Sequence, residues 1–152
     1  MSDQELRTIT HVRDLVELAS LSDVVFYQLS GERVEEDEDA AGGEAHEAAH
    51  EEDAPLEVLA RHDAERIQVR VRCEALSRQG RFVADVAAEF ALAEPVAIEG
   101  AVLREFVERV GVMAAYPFVR EGLHSTASKL RVQAPLLQLL RANQISLTPN
   151  QD

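Results

Sequence analysis

The sequence predicts an α+β fold: a four-stranded antiparallel sheet covered on one face by C-terminal helices, with an extra helix at the N-terminal end. Three observations predict it. Between Glu65 and Leu92, apolar residues recur at every second position in two successive runs, the period that sorts side chains onto the two faces of a strand. Between Ile98 and Leu130 the apolar spacing changes to three and four, the period of a helix. The 152 residues, 46% of them apolar, suffice for one substantial core, so 1–152 is read as a single domain.

From the N-terminal end, Ser2 followed by Glu5 has the form of a capping box, and Leu6, Ile9, Val12, Val16 and Ala19 follow at helical steps, which predicts a helix over 3–19. Residues 22–30 are rich in β-branched and aromatic types and are read as the first strand. Strict alternation puts Val25, Tyr27 and Leu29 on one of its faces and Val24 and Phe26 on the other. Apolar residues on both faces suit a strand sandwiched between layers, or one whose outer face meets a partner. The stretch 35–54 has no Leu, Ile, Val or aromatic residue and cannot bury enough apolar area to offset the entropy of ordering, so it is expected to be a mobile loop. Leu56 to Ala60 is a short second strand.

The central hairpin follows. Ile67, Val69, Val71, Cys73 and Ala75 alternate with Arg66, Gln68, Arg70, Arg72 and Glu74, and after a polar turn ending in Gly80 the alternation resumes with Phe82, Ala84, Val86, Ala88, Phe90 and Leu92. Pro95 is expected to end the sheet. Ala101 to Ala115 then carries Val102, Leu103, Phe106, Val107, Val110 and Met113 on one helical face. Pro117 suits a first helical turn, so a further helix is expected from there to Leu130, with Phe118, Val119, Leu123 and Ala127 inward. Leu136 to Leu140, after Pro135, is a helical turn or a docked tail.

Charge excludes some functions. The net charge is −13, and phosphate contacts need clustered Lys and Arg that this chain mostly lacks, so no nucleic-acid partner is expected. Ten of the 28 acids fall within 35–53 without a single base, so the remaining chain, with 18 acids against 15 bases, is only mildly acidic. One cysteine, no signal-like segment and no run of about 20 apolar residues lead us to expect a cytoplasmic protein that does not insert into membranes.

No stretch points to catalysis. His46, Glu47 and His50 match the HExxH zinc pattern, but they lie among small and acidic residues with nothing bulky to pack a zinc helix, so the match is read as an accident of composition and no metal or cofactor is expected. Cys73 alternates with core residues and lacks a nearby base. Glu121, His124 and Ser125 share one helix without converging geometry or an oxyanion hole. Arg66, Arg70 and Arg72 on the outer hairpin face are expected to pair across strands with Asp85 and Glu89. Val83, Ala87 and Ala91 add apolar area to that face and suggest packing against another subunit.

Three local sequences carry a resemblance. The run from Arg81 to Val86 after a Gly80 turn, the triplet Ile98, Glu99 and Gly100, and the segment Tyr116, Pro117, Phe118, Val119, Arg120 and Glu121 resemble, in order and spacing, the last strand, helical entry and long-helix opening of the SecB family of export chaperones. Ala134 and Pro135 also fit, and the resemblance covers 21–34 and 56–140. It implies an ATP-independent holdase, not an enzyme, that binds unfolded preproteins in apolar grooves and assembles as a dimer of dimers. It also implies the SecA motor as a partner, with Val83 and Asp85 on the facing surface. Phe26, Tyr27, Val58, Met113 and Tyr116 are the candidate client-binding residues. The chain departs from the family in carrying Gln28 and Arg33 where further acids stand, in its acidic segment 35–54 and in its N-terminal helix. Such departures resemble SecB-like proteins outside the export lineage, some of which serve a toxin–antitoxin pair, so one dedicated client such as an antitoxin is the alternative.

Overall fold

The computed structural model describes residues 5–35, 55–137 and 140. Ser2 of the expected capping box, the acidic stretch beyond Glu35 and the HExxH match lie outside them. The elements in order are β1 (Arg7–Ile9), α1 (Val12–Leu18), β2 (Ala19–Arg33), β3 (Leu56–His62), β4 (Arg66–Leu76), β5 (Gly80–Leu92), β6 (Val96–Ile98), α2 (Gly100–Phe106), a π-helical turn (Val107–Gly111) and α3 (Val112–Leu130).

The main sheet has the expected four strands in the order β2-β5-β4-β3, antiparallel throughout. The hairpin forms with the alternation read from the sequence: Ile67, Val69, Val71, Cys73, Ala75, Phe82, Ala84, Val86, Ala88 and Phe90 are all buried. α3 crosses their apolar face, lying over β5, β2 and β4. The β3–β4 connection is an Asx-type turn, in which the Asp63 carboxylate accepts hydrogen bonds from the backbone N–H groups of Glu65 (2.8 Å) and Arg66 (2.9 Å). Those donors hold its pKa below the usual value.

The N-terminal helix is present but shorter than 3–19. Thr8, Ile9 and Thr10 are β-branched, and residues 7–9 instead form β1, paired in parallel with β6, a strand not expected beyond Pro95. This small second sheet buries Ile9 and Val96. α1 turns Leu15 fully inward, with Val12 and Leu18 half-buried, and leaves Val16 outside.

Two helices were expected at the C-terminal side, broken before Pro117. Helical structure instead runs unbroken from Gly100 to Leu130, with Pro117 inside α3. At its middle the N–H of Val112 donates to the carbonyl of Val107, five residues back, which inserts one extra residue into the turn. The buried positions explain the insertion: Phe106 and Val107 are followed five residues later by Gly111 and Val112, then by Ala115, Tyr116, Val119, Leu123 and Ala127. A strict 3.6 period would rotate that second group away from the sheet. The extra residue also changes which side chains are left outside, so Val110 is only half-buried and Met113 is 38% exposed; Phe118, at the margin of the α3 stripe, is 38% exposed as well, against the expectation that all three face inward. Gly111 touches the sheet so closely that a Cβ there would overlap Val69.

α3 ends with Arg131 in the left-handed conformation (φ 55°, ψ 45°), and beyond it Leu137 is buried while Leu136 is 59% exposed. Residues 133–137 are not helical, so the described tail is docked through Leu137.

Candidate functional site

The 15-residue strand β2 sits at one edge of the sheet and is irregular in a way that strict alternation misses. Its register against β5 pairs Phe26 with Val86 and then Gln28 with Asp85, leaving Tyr27 as the extra residue of a β-bulge. Beyond the bulge Leu29 pairs with Ala84, so Leu29 shares the helix-facing side with Val24 and Phe26 instead of joining Val25 and Tyr27. A Cβ at Gly122 of α3 would lie 2.9 Å from Phe26 and 3.0 Å from Leu29. Glycine therefore lets both side chains reach up against the helix.

Phe118 lies one turn before Gly122 on the same ridge. Leu21, Phe26, Leu29 and Phe118 are 50, 38, 43 and 38% exposed. They form an open apolar seam between the edge strand and the helix, and β2 has no neighbour on its other side among the described strands. At the far end of the seam Arg33 donates to the carbonyl of Leu130 at 3.0 Å, placing a cation at the negative end of α3.

The opposite flank of α3 carries Met113, Tyr116 and Arg120. Tyr116 is 8% exposed, Arg120 stacks over its ring at 5.2 Å and reaches the Leu137 carbonyl, and burial raises the Tyr116 hydroxyl pKa against the opposing effect of Arg120. Val58 of β3 is fully buried on the helix-facing side, opposite Val71. Of the five candidate client-binding residues, Phe26 thus lines the seam, Met113 and Tyr116 lie on the other flank, Val58 is in the core, and Tyr27 faces the opposite side of the sheet. Leu29 and Phe118 were not among the candidates. The signal that marks them is Gly122, four residues after Phe118.

The outer sheet face holds a polar network. Arg70 donates two hydrogen bonds of 2.7 Å to Asp85, which is 2% exposed, and stacks on Tyr27 at 4.3 Å. Arg72 lies 3.7 Å from Asp85 and bonds Gln28 and Glu74, each at 2.8 Å. The Gln68 amide donates to the Tyr27 hydroxyl and to Glu89, both at 3.0 Å. Cross-strand pairing is therefore as expected for Arg70 and Arg72, whereas Arg66 lies opposite Ala91 and not an acid. Val83 is half-buried beside this network, and exposed Leu59 and Leu76 add apolar area.

Among the described residues no side chains converge as a nucleophile and base would. Cys73 is buried, its thiol pushed up to about 11 by burial first and by Glu74 second. Among the described residues no group of three or more His, Cys, Asp or Glu side chains is placed to hold a metal, and no helix is long and apolar enough to cross a membrane.

No protein-family model matches the chain. It is 33% identical over 145 residues to the SecB-like chaperone SmegB of Mycolicibacterium smegmatis, across 95% of this chain and 91% of that one. A solved structure of the Mycobacterium tuberculosis SecB-like chaperone, in complex with a ChAD peptide from the HigA1 antitoxin, superposes with a TM-score of 0.63 at 18% identity, covering 84% of this chain and 94% of that one.

Proposed function

This chain belongs to the SecB-like chaperone family, and from that premise we propose that it is an ATP-independent holdase whose client lies in the apolar seam between β2 and α3. The observation that carries the reading is the exposure of Leu21, Phe26, Leu29 and Phe118 along one groove bordered by an unpaired strand edge. An extended client segment can pair with such an edge while its side chains enter the apolar groove. The flank of Met113 and Tyr116 extends the client surface on the other side of α3. A net charge of −13 keeps a protein with this much exposed apolar area soluble.

The client favoured here is one dedicated partner, an antitoxin segment, and not the general preprotein stream. Two features support that choice. The solved relative was captured with an antitoxin peptide. Asp85, the acid that the family resemblance implies for the SecA-facing surface beside Val83, is taken up by Arg70 and Arg72 and is nearly without solvent contact. The working form is a cytoplasmic homo-oligomer, a dimer of dimers, whose copies cover part of the exposed apolar area.

Size-exclusion chromatography with light scattering tests this. The protein is run alone, with reduced carboxymethylated α-lactalbumin as a permanently unfolded probe, with native α-lactalbumin, and with an apolar antitoxin peptide. Binding of the antitoxin peptide at least about tenfold tighter than the unfolded probe, a gap of about 1.4 kcal/mol, is expected. Equal affinity for the two ligands would restore general export as the better reading, and binding of neither would overturn the chaperone assignment of the seam.

A further inference from the structure

We propose that Tyr27 and Arg70, on the outer face of the sheet, are positioning residues that fix the register of β2 and thereby put Leu29 into the seam on the opposite face. The inference rests on the seam being the client site, but its structural half stands without it. In a strand, residues three apart fall on opposite faces, so Phe26 and Leu29 share one only because the bulge consumes an extra residue. Bulges slip unless something holds the extra residue. If β2 slid by one position, Tyr27 would pair with Asp85, Gln28 would turn toward the helix, and Leu29 would face outward beside Val83.

The outer network opposes that slip. Both residues of the bulge that point outward are held by β4 side chains that reach across β5: Tyr27 by the Gln68 amide at 3.0 Å and the Arg70 guanidinium at 4.3 Å, and Gln28 by Arg72 at 2.8 Å. Arg70 is itself oriented by its bidentate bond to Asp85, so the plane that stacks on Tyr27 is fixed. The position of β5 opposite Arg70 is Ala87, small enough to leave a path over the strand between them. None of these residues lines the seam, yet they decide which residues do.

Three variants test the proposal: Tyr27→Ala, which keeps the bulge and removes its anchor; Tyr27→Phe, which keeps the stacking; and deletion of Tyr27, which removes the bulge and leaves Phe26 and Leu29 on one face by ordinary alternation. Each is read by its affinity for carboxymethylated α-lactalbumin and by the nuclear Overhauser contact between the Leu29 methyl groups and the Gly122 α-proton. Tyr27→Ala is expected to weaken binding by about tenfold and lose the contact, while Tyr27→Phe and the deletion keep both within about twofold. An unchanged contact and affinity in Tyr27→Ala would overturn the proposal. Loss of binding in the deletion, with the contact retained, would also overturn it, because Tyr27 would then touch the client itself. If the unaltered protein binds neither this probe nor the antitoxin peptide, the seam reading fails, and the contact alone still decides whether Tyr27 sets the register.

Discussion

Asp85 shows how far a single side chain's role depends on its neighbours. The sequence offers an acid on the outer face of β5, expected to pair with the hairpin arginines and, by the family resemblance, to face SecA. The structure encloses it between Arg70 and Arg72 at 2% exposure, and the Asp85 hydrogen bonds push the Arg70 guanidinium pKa further up. Replacing Arg70 by Ala removes both short hydrogen bonds to the buried carboxylate and leaves it only Arg72 at 3.7 Å, so unfolding in urea should show a loss of about 2–3 kcal/mol. The double change Arg70→Met and Asp85→Leu should recover most of it, because removing both charges avoids the desolvation cost. Cys73 gives a second prediction at this scale. Its thiol is protonated to about pH 11 in the folded protein, against an ordinary value of 9.0. The neutral form is favoured by folding, so its contribution is complete below pH 9 and is lost as pH rises through 11. Over that window the loss amounts to about 2–3 kcal/mol, measured as the difference in urea midpoint slope between the protein and Cys73→Val.

At the scale of elements, period and phase behave differently. The two hairpin strands were legible because each keeps a strict alternation over its whole length, with one face buried from end to end. β2 was legible as a strand but not in its faces, since one extra residue at Tyr27 inverts every assignment after it. The helical region fails in the same way: its apolar stripe continues only through a π-helical turn, and Met113 changes sides as a result, while Phe118 lies at the margin of the stripe that Val119, Leu123 and Ala127 bury. The N-terminal helix was over-extended because Leu6, Ile9 and Val12 fit a helical stripe, and only the pairing of residues 7–9 with β6, out of reach of a local pattern, makes that stretch a strand. The π-helical turn carries the prediction here. A Cβ at Gly111 would meet Val69, a β-branched side chain with little freedom to move, so Gly111→Ala should destabilise by about 1–3 kcal/mol in thermal or urea unfolding.

For the whole molecule, the consequence is an open apolar seam beside a strand edge that no other described strand covers. Phe118→Ser and Leu29→Ser act on residues that are partly exposed, so they should lower stability by only about 1 kcal/mol. The same variants should weaken binding of the unfolded probe by about tenfold or more, read by fluorescence anisotropy. Val58→Ser should do the reverse: it buries a hydroxyl in the core and costs stability first, with client affinity following only from loss of folded protein.

The sequence by itself determined the class of fold, the hairpin and its buried face and the inert cysteine, because each is written in local period and composition, and it pointed to the family through the resemblance of three local motifs in their order. The tertiary structure alone decided which side chains border the seam, how deeply Asp85 is enclosed and which face of the sheet Leu29 joins. Those outcomes depend on single inserted residues at Ser22, at Tyr27 and within the π-helical turn, and an insertion becomes visible only when a second element fixes the register against which it is counted.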